Sequence, residues 1–273
     1  MPPSPGPLLA RGRTAEVYAW RDHEIIKLFY AWCSPQWVQQ ELKIGQAMTT
    51  MPLPTPRLLD SVEMDGRLGI VYERVTGSSM LKVANTKPWL LFRMARQFAE
   101  LHTLIHRQNG GDLPSLLPTL NAAVDGAESL PPAVKQAVQK ITITLPDGHA
   151  LCHGDFHPDQ VLLTNNGPVI IDWMTAQQGH PLADVARTAV LLTVGQVPYA
   201  GVAMRAFVNL WRGVFRCAYL THYFRLNPHF SRDTLQTWMI PVATARLTEG
   251  IPGEKELLLN FLVSCLQSGN FEV

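Results

Sequence analysis

The chain has 273 residues, long for a single hydrophobic core, so two lobes or one large domain are the open options. Hydrophobic residues make up 47% of it, the share of a globular protein, which excludes a disordered chain or a collagen-like fibre. Lys+Arg 23 against Asp+Glu 22 gives a formal net charge of +1, so no net field draws the chain to nucleic acid or to an anionic membrane.

The four cysteines, Cys33, Cys152, Cys217 and Cys265, stand far apart without a Cys-x-x-Cys pair, which predicts buried intracellular thiols rather than a zinc knuckle or a disulfide framework. The N-terminus from Met1 to Pro7 has neither a basic start nor a long apolar run, so no signal peptide is expected. The 17 uncharged residues between Arg187 and Arg205 are interrupted by Gly195, Gln196, Pro198 and Gly201 and are too few to span a bilayer. They read as two buried helical pieces, and the expected location is the cytoplasm.

In chain order, Leu8-Leu9, Val17 to Trp20 and Ile25 to Phe29 are three short strands bounded by turn formers at Gly12 and Arg21-Asp22-His23. Ser34-Pro35 sets an N-cap before a helix whose 3.6 period places Trp37, Val38, Glu41, Ile44 and Met48 on one face. A hairpin turning at Asp65-Gly66 ends in Gly69 to Glu73. Beyond Gly77 the pattern becomes helical. Pro88 opens a long helix with the stripe Leu91, Met94, Ala95, Phe98, Leu101 and Ile105, and Asn109-Gly110-Gly111 closes it. Residues 112–147 are Pro-rich and weakly patterned, with a short helix over Ala133 to Ile141. Strands at Val161 to Leu163 and Val169 to Ile171 flank Asn165-Asn166-Gly167, a sequence that favours a type I′ turn. Helices follow from Pro181, with Trp211, Phe215, Tyr219 and Tyr223 as a core stripe. The fold class is α+β: a small β-rich lobe over residues 1–76 and a larger, mainly helical lobe over 77–273.

The chemistry concentrates in His153-Gly154-Asp155-Phe156-His157-Pro158-Asp159-Gln160, the hairpin, and Asp172-Trp173. Asp155 and Gln160 precede the first strand and Asp172 follows the second, so an antiparallel pair carries these ends to one mouth. Two carboxylates and an amide oxygen there suit Mg²⁺, which completes its shell with phosphates. Upstream, Glu41 on an apolar helix face and Lys27 within an apolar strand each need a partner. Pairing them satisfies both and leaves an ammonium for phosphate. A rival reading takes His153, Asp155 and His157 as zinc ligands, but it leaves Lys27 and Glu41 unexplained. His102, on the apolar face of the long helix, reads as a satisfied core histidine, and His153 as a brace for its loop.

With these residues the chain resembles the aminoglycoside phosphotransferase-like family, small-molecule kinases on the protein-kinase fold. The resemblance rests on His-Gly-Asp-x-His-Pro, Ile171-Asp172-Trp173 and Gly179 to Asp184, and it covers nearly the whole chain in order. It implies a bilobal protein-kinase-like fold with Asp155 as catalytic aspartate and Asp172 as magnesium ligand. Lys27 looks like the phosphate-binding lysine with Glu41 as its helix partner, and Gly12 like a glycine of the nucleotide loop. The segment Tyr72 to Gly77 looks like the inter-lobe hinge, where Tyr72, Glu73 and Val75 would hold the adenine. Asp184 resembles a position that braces the catalytic loop. Gln160 stands where the family usually has Asn and offers the same amide oxygen one methylene farther out.

The activity implied is transfer of the terminal phosphoryl group of ATP or GTP, with Mg²⁺, to a hydroxyl of a small organic molecule. Trp173 follows Asp172 in place of the Phe-Gly of protein kinases and the next helix begins soon after, which leaves no room for a long activation loop and argues against a protein substrate. Past residue 177 stand eight basic and six acidic residues, so a neutral or anionic acceptor fits better than a polycationic aminoglycoside. Expected partners are the nucleotide and that substrate, with no nucleic acid and no membrane, and the expected state is a monomer or weak dimer. A pseudokinase that binds nucleotide without transfer is the alternative, motivated by Gln160 and by a nucleotide loop with alanines at two glycine positions.

Overall fold

A computed structural model describes residues 5–195 and 202–268. Strand β1 (Leu8–Arg11) turns through Gly12 into β2 (Ala15–Ala19), and β3 (Glu24–Phe29) follows a turn in which His23 takes φ 62°. Helix α1 (Pro35–Thr50) begins where the Ser34 hydroxyl accepts the Trp37 N–H at 3.3 Å, with Pro35 in the first turn, where a missing donor costs nothing. Strands β4 (Leu58–Met64) and β5 (Arg67–Glu73) meet at Asp65 and Gly66. Both take positive φ, 50° and 72°, the pairing a type I′ turn requires.

There follow β6 (Ser78–Ser79), α2 (Met80–Thr86), α3 (Leu91–His106), α4 (Leu116–Asp125), α5 (Pro132–Thr142) and β7 (Ala150–Cys152). A 3-10 turn at Pro158–Gln160 leads into the hairpin of β8 (Val161–Thr164) and β9 (Gly167–Ile170). Then come β10 (Gln177–Gly179), α6 (Pro181–Val194), α7 (Val202–Leu226), α8 (Arg232–Thr248) and α9 (Lys255–Ser268). These elements form two compact units. One holds the chain up to Thr86 together with Pro158–Thr175, and the other holds Lys87–His157 and the chain from Ala176 on. A single cut between 76 and 77 misses that β6, α2 and the β8–β9 hairpin group with the first unit.

The first unit is built on an antiparallel sheet in the order β1-β2-β3-β5-β4. Ile26, Ile70 and Val71 are fully buried in it, and Val38, Glu41, Ile44 and Met48 make the buried face of α1. Trp37 does not join that face. It is 58% exposed and meets Trp32 edge-on, because a residue at the first turn of α1 lies at the rim of the stripe. A second sheet, β6-β8-β9, is fastened by the Ile170 N–H, which donates to the Pro54 carbonyl at 2.7 Å. Gly77 is what lets the chain reach β8, since a Cβ there would stand 2.7 Å from the Leu163 carbonyl oxygen. The turn of this hairpin differs from type I′. Thr164 pairs Gly167, so Asn165 and Asn166 are its two loop residues, yet only Gly167 takes positive φ, 117°.

In the second unit α3 buries the expected stripe, and Phe98 stacks on Phe156 with centroids 4.1 Å apart and meets Tyr219 edge-on. Phe215, Tyr219 and Tyr223 are fully buried along α7. Helix α4 occupies part of the stretch that reads as weakly patterned. Pro118 falls in its first turn, where an absent N–H is tolerated, and Leu116, Leu120 and Val124 form its buried face. Cys33, Cys152 and Cys265 are buried as expected, but Cys217 is exposed on α7. No described helix is long and apolar enough to cross a membrane. Gln196, Pro198 and Gly201 lie outside the described residues.

Candidate active site

In the first unit one buried ammonium collects two carboxylates. Lys27 sits mid-strand in β3, opposite Val17 and Ile70, and its Nζ lies 2.7 Å from Glu41 Oε1 and 3.0 Å from Asp172 Oδ1. Burial works against this charge, but Asp172 and Glu41 outweigh it and hold the Lys27 pKa above its ordinary value. Burial raises the Glu41 carboxyl, which Lys27 only partly draws back. The Tyr72 hydroxyl donates to the same Oε1 at 3.4 Å, while the buried Oε2 of Glu41 has no partner. Two buried ions taken from water need this density of contacts to offset their desolvation.

Asp172 stands two residues past β9 and takes φ 61°, a left-handed backbone that costs a non-glycine residue about 1 kcal/mol or more. The Ile171 N–H donates to the Gln160 carbonyl at 2.9 Å, which closes the hairpin mouth and sets Asp172 beside Lys27. Gln160 ends the 3-10 turn, and its Nε2 lies 3.4 Å from Asp172 Oδ2. The pairing brings Gln160 and Asp172 to one mouth, with the amide nitrogen of Gln160 turned inward, whereas Asp155, expected there too, groups with the second unit. A half-turn of that amide would present its oxygen. Asp172 keeps Oδ2 only weakly engaged, and a carboxylate with a neighbouring amide oxygen is a donor set that suits Mg²⁺.

The remaining residues expected to hold nucleotide are also in this unit. Gly12 caps the β1–β2 loop by donating its N–H to the Ala15 carbonyl at 2.8 Å. Glu73 ends β5 with its N–H on the Arg57 carbonyl at 2.9 Å, and Val75 lies just beyond, half-buried. Tyr72 faces α1 with its side chain, so only its backbone remains for a hinge role.

Asp155 belongs to the second unit, and its loop is anchored by Asp184 in the first turn of α6. Asp184 is fully buried and accepts four donors: the His153 N–H at 2.6 Å, the Gly154 N–H at 2.9 Å, and Nε2 of His102 and His106 at 3.1 and 3.3 Å. The other ring nitrogens, Nδ1 of His102 and of His106, each lie 2.7 Å from a tyrosine hydroxyl, Tyr219 and Tyr223. Burial and the neighbouring His106 hold His102 at a pKa of about 3, so its contact with Asp184 is a hydrogen bond from a neutral ring and not an ion pair. Burial opposes the Asp184 charge, but these hydrogen bonds prevail and keep its carboxyl well below the usual range. His102 is thus the satisfied core histidine its sequence position predicts. His106, one turn on, completes the set, and its i, i+4 spacing to His102 was the available signal.

Asp155 itself is held loosely. Its Oδ2 lies 3.5 Å from His157 Nε2 and its Oδ1 lies 3.7 Å from Arg187 Nη2. Burial raises its carboxyl, but His157, Arg187 and His153 outweigh burial and leave it below the ordinary value. The carboxylate is therefore ionised at neutral pH, able to orient a hydroxyl. Arg187 is absent from the sequence-derived site. A signal for it exists, because it is the only charge between Asp184 and the end of an otherwise apolar α6, and such a residue demands partners.

A model of the group described as the Phosphotransferase enzyme family matches residues 15–228. Among solved structures, aminoglycoside phosphotransferase APH(4)-Ia, in complex with ADP and hygromycin B, is 14% identical with a TM-score of 0.67, covering 96% of this chain and 93% of its own. Aminoglycoside-3'-phosphotransferase of type VIII is 18% identical with a TM-score of 0.59, covering 88% of this chain and 91% of its own. Choline kinase from Cryptosporidium parvum Iowa II is 12% identical with a TM-score of 0.55, covering 97% of this chain and 88% of its own. These likenesses establish the kinase-like fold. No curated protein matches the sequence.

Proposed function

The chain belongs to the Phosphotransferase enzyme family, and from that premise we propose that it moves the terminal phosphoryl group of ATP or GTP to a hydroxyl of a small organic molecule. The observation that carries this reading is the Lys27 cluster, a buried ammonium between Glu41 and Asp172 with Asp172 in a left-handed backbone. Such strain persists where the surroundings over-determine it, and a fixed cation beside a metal-binding carboxylate is what phosphoryl transfer needs.

Lys27 grips phosphate oxygens, and Glu41 keeps its ammonium extended along that direction. Mg²⁺, held through Asp172 and Gln160, would neutralise charge on the phosphates. The loop of Gly12 and the backbone of Tyr72, Glu73 and Val75 serve the rest of the nucleotide. Asp155 orients the acceptor hydroxyl and takes its proton late, a task for which a weak base suffices because the transition state is loose. Asp184 fixes the loop that carries it. The excess of basic over acidic residues past 177 argues for a neutral or anionic acceptor.

The test is Mg²⁺-dependent nucleotide turnover with a mixed pool of hydroxylated metabolites, with the phosphorylated product read by ³¹P NMR. Product formation supports the reading. Nucleotide that binds without product against every acceptor would favour the pseudokinase, the alternative motivated by Gln160 at a position where the family usually has Asn.

A further inference from the structure

Helix α7 is apolar on two faces. One carries Phe215, Tyr219 and Tyr223, fully buried where α7 packs against α3 and α6. The other carries Phe207, Leu210, Val214, Cys217 and Thr221, all exposed, and no described element covers it. These five follow one another at intervals of 3, 4, 3 and 4 residues, which on a helix draws a single stripe opposite the buried one. A surface helix ordinarily turns polar residues to water, so a second apolar stripe there marks a contact face. A groove of about 610 Å³ runs along it, lined by Phe92 of α3 and by Leu210, Gly213, Val214, Ala218 and Arg225 of α7, all in the second unit. Leu210 is 69% exposed and Phe92 65%. At Gly213 a recess opens, because outside its own turn of helix nothing stands within 4 Å of where a Cβ would be.

We propose that this groove receives an acidic amphipathic α-helix of a partner protein, its apolar side chains on the stripe and its carboxylates beside Arg225. The spacing favours a helix, since an interval of 3 and 4 residues is the seam along which two helices pack. From Phe207 to Thr221 the stripe runs about 21 Å, the length of a helix of some 14 residues. Charge sets the sign of the partner. Over its 25 residues α7 contains Arg205, Arg212, Arg216 and Arg225 and neither Asp nor Glu. Arg212 and Arg216 donate back to the Gly195 carbonyl and the Thr193 hydroxyl, so the exposed Arg225 is the charge this helix offers to the groove. Arg96, one turn on from Phe92 along α3, adds a second, with Glu100 3.4 Å away. A second copy of the chain would bring another α7 without a carboxylate, and like charges would oppose it. A bilayer would cover Leu210 and Phe92 but not fill the recess at Gly213, which a helix side chain can. None of these residues belongs to the nucleotide or acceptor machinery, so the inference stands apart from the kinase reading.

The test uses the full chain and a fluorescent peptide of about three heptads, with Leu along one stripe and Glu beside it, followed by anisotropy. Its control replaces every Glu by Lys. The acidic peptide is expected to bind in the micromolar range, about tenfold more tightly than the control, and to weaken as salt is added. Leu210→Glu is expected to weaken it by a further factor of about ten, with the fold checked by circular dichroism. Should that variant not fold, Arg225→Glu is expected to erase the preference for the acidic peptide. Cys217, the one exposed thiol, gives an independent reading. A thiopyridyl disulfide placed in the peptide's apolar stripe should exchange with it faster than one placed on the outer face. No binding of the acidic peptide at about 100 µM, equal binding of the two peptides, equal exchange rates, or binding that survives both substitutions would overturn the proposal. So would two other results that depend on Leu210: cosedimentation with phosphatidylglycerol vesicles in place of peptide binding, which assigns the face to lipid, and a dimer in sedimentation equilibrium, which assigns it to a second copy.

Discussion

In the first unit the carboxylates of Glu41 and Asp172 close on one ammonium at 2.7 and 3.0 Å, whereas in the second Asp155 meets its basic partners only at 3.5 and 3.7 Å. The tight cluster suits a charge that must wait in one place for phosphate. The loose one suits the role proposed for Asp155, in which its lone pairs would stay available to an incoming hydroxyl. Structural work in the second unit falls instead to Asp184, which saturates its oxygens with four donors and so fixes the loop. Rigidity and openness are thus assigned to different carboxylates, Asp184 on α6 and Asp155 on the loop that Asp184 holds.

The largest expected effect breaks the open carboxylate. Asp155→Asn keeps the shape and removes the charge, so turnover on an identified acceptor is expected to fall about 10²- to 10⁴-fold. Nucleotide affinity should hold if Asp155 has the acceptor role proposed above. A variant that turns over at near wild-type rate would remove Asp155 from the chemistry. Next comes the saturated carboxylate. Asp184→Asn places an amide N–H₂ against at least one buried donor, and stability is expected to drop by about 3 kcal/mol or more, read from urea unfolding. A loss of less than 1 kcal/mol, about the worth of one ordinary hydrogen bond, would mean that the loop is held by other contacts.

The third prediction sharpens the contrast through pH. His102 has a folded-state pKa of about 3 against an ordinary 6.5, and Asp184 is depressed well below 3.8. Between the folded and unfolded values of each group the unfolded chain binds the proton and the folded chain does not, so stability rises with pH there and is lost on acidification. The stabilisation from His102 is complete above its unfolded value and disappears as pH falls towards 3, by up to about 1.4 kcal/mol per pH unit. Asp184 adds a further loss only below its unfolded value. Urea midpoints taken from neutral pH to about pH 4 should therefore fall steadily. Flat midpoints would mean that His102 is charged in the folded protein and that its contact with Asp184 is an ion pair after all.

Much of this was legible in the sequence where local rules act alone. Ser34-Pro35 marks the start of α1 and Asp65-Gly66 the type I′ turn, because caps and positive-φ turns are set by adjacent residues. The pairing of Lys27 with Glu41 followed from two charges on apolar faces with nothing nearer to satisfy them. What the sequence hid depends on longer range. Helix α4 is masked by prolines that lie where a helix tolerates them, and the Asn165-Asn166-Gly167 turn changes type because the pairing of Thr164 with Gly167 moves the loop by one residue. The Arg187–Glu249 contact joins residues from α6 and the end of α8, 62 positions apart, and no spacing rule connects them. Neither could periodicity tell that Trp37 stays in solvent, since the rim and the centre of a helical stripe carry the same period.

The smallest effect tests how far the tight cluster depends on its edge. Tyr72 gives Glu41 its second hydrogen bond, but at 3.4 Å, against 2.7 Å from Lys27 to the same oxygen. Tyr72→Phe removes the hydroxyl and keeps the ring that fills the space between β5 and α1. A bond of that length contributes at the low end of the usual range, about 0.5 kcal/mol, which corresponds to roughly a twofold change in a rate or an affinity. Burial already raises the Glu41 carboxyl, and losing a donor to it pushes in the same direction. Any activity loss in Tyr72→Phe should therefore be greater at acidic pH, where Glu41 is nearer to taking a proton and releasing Lys27. Steady-state nucleotide kinetics across the acidic limb are the measurement. A loss of tenfold or more at neutral pH would show that the phenol, and not the Lys27 ammonium, sets the position of Glu41. An unchanged acidic limb would place the Glu41 protonation outside the working range and leave Lys27 sufficient to hold the cluster alone.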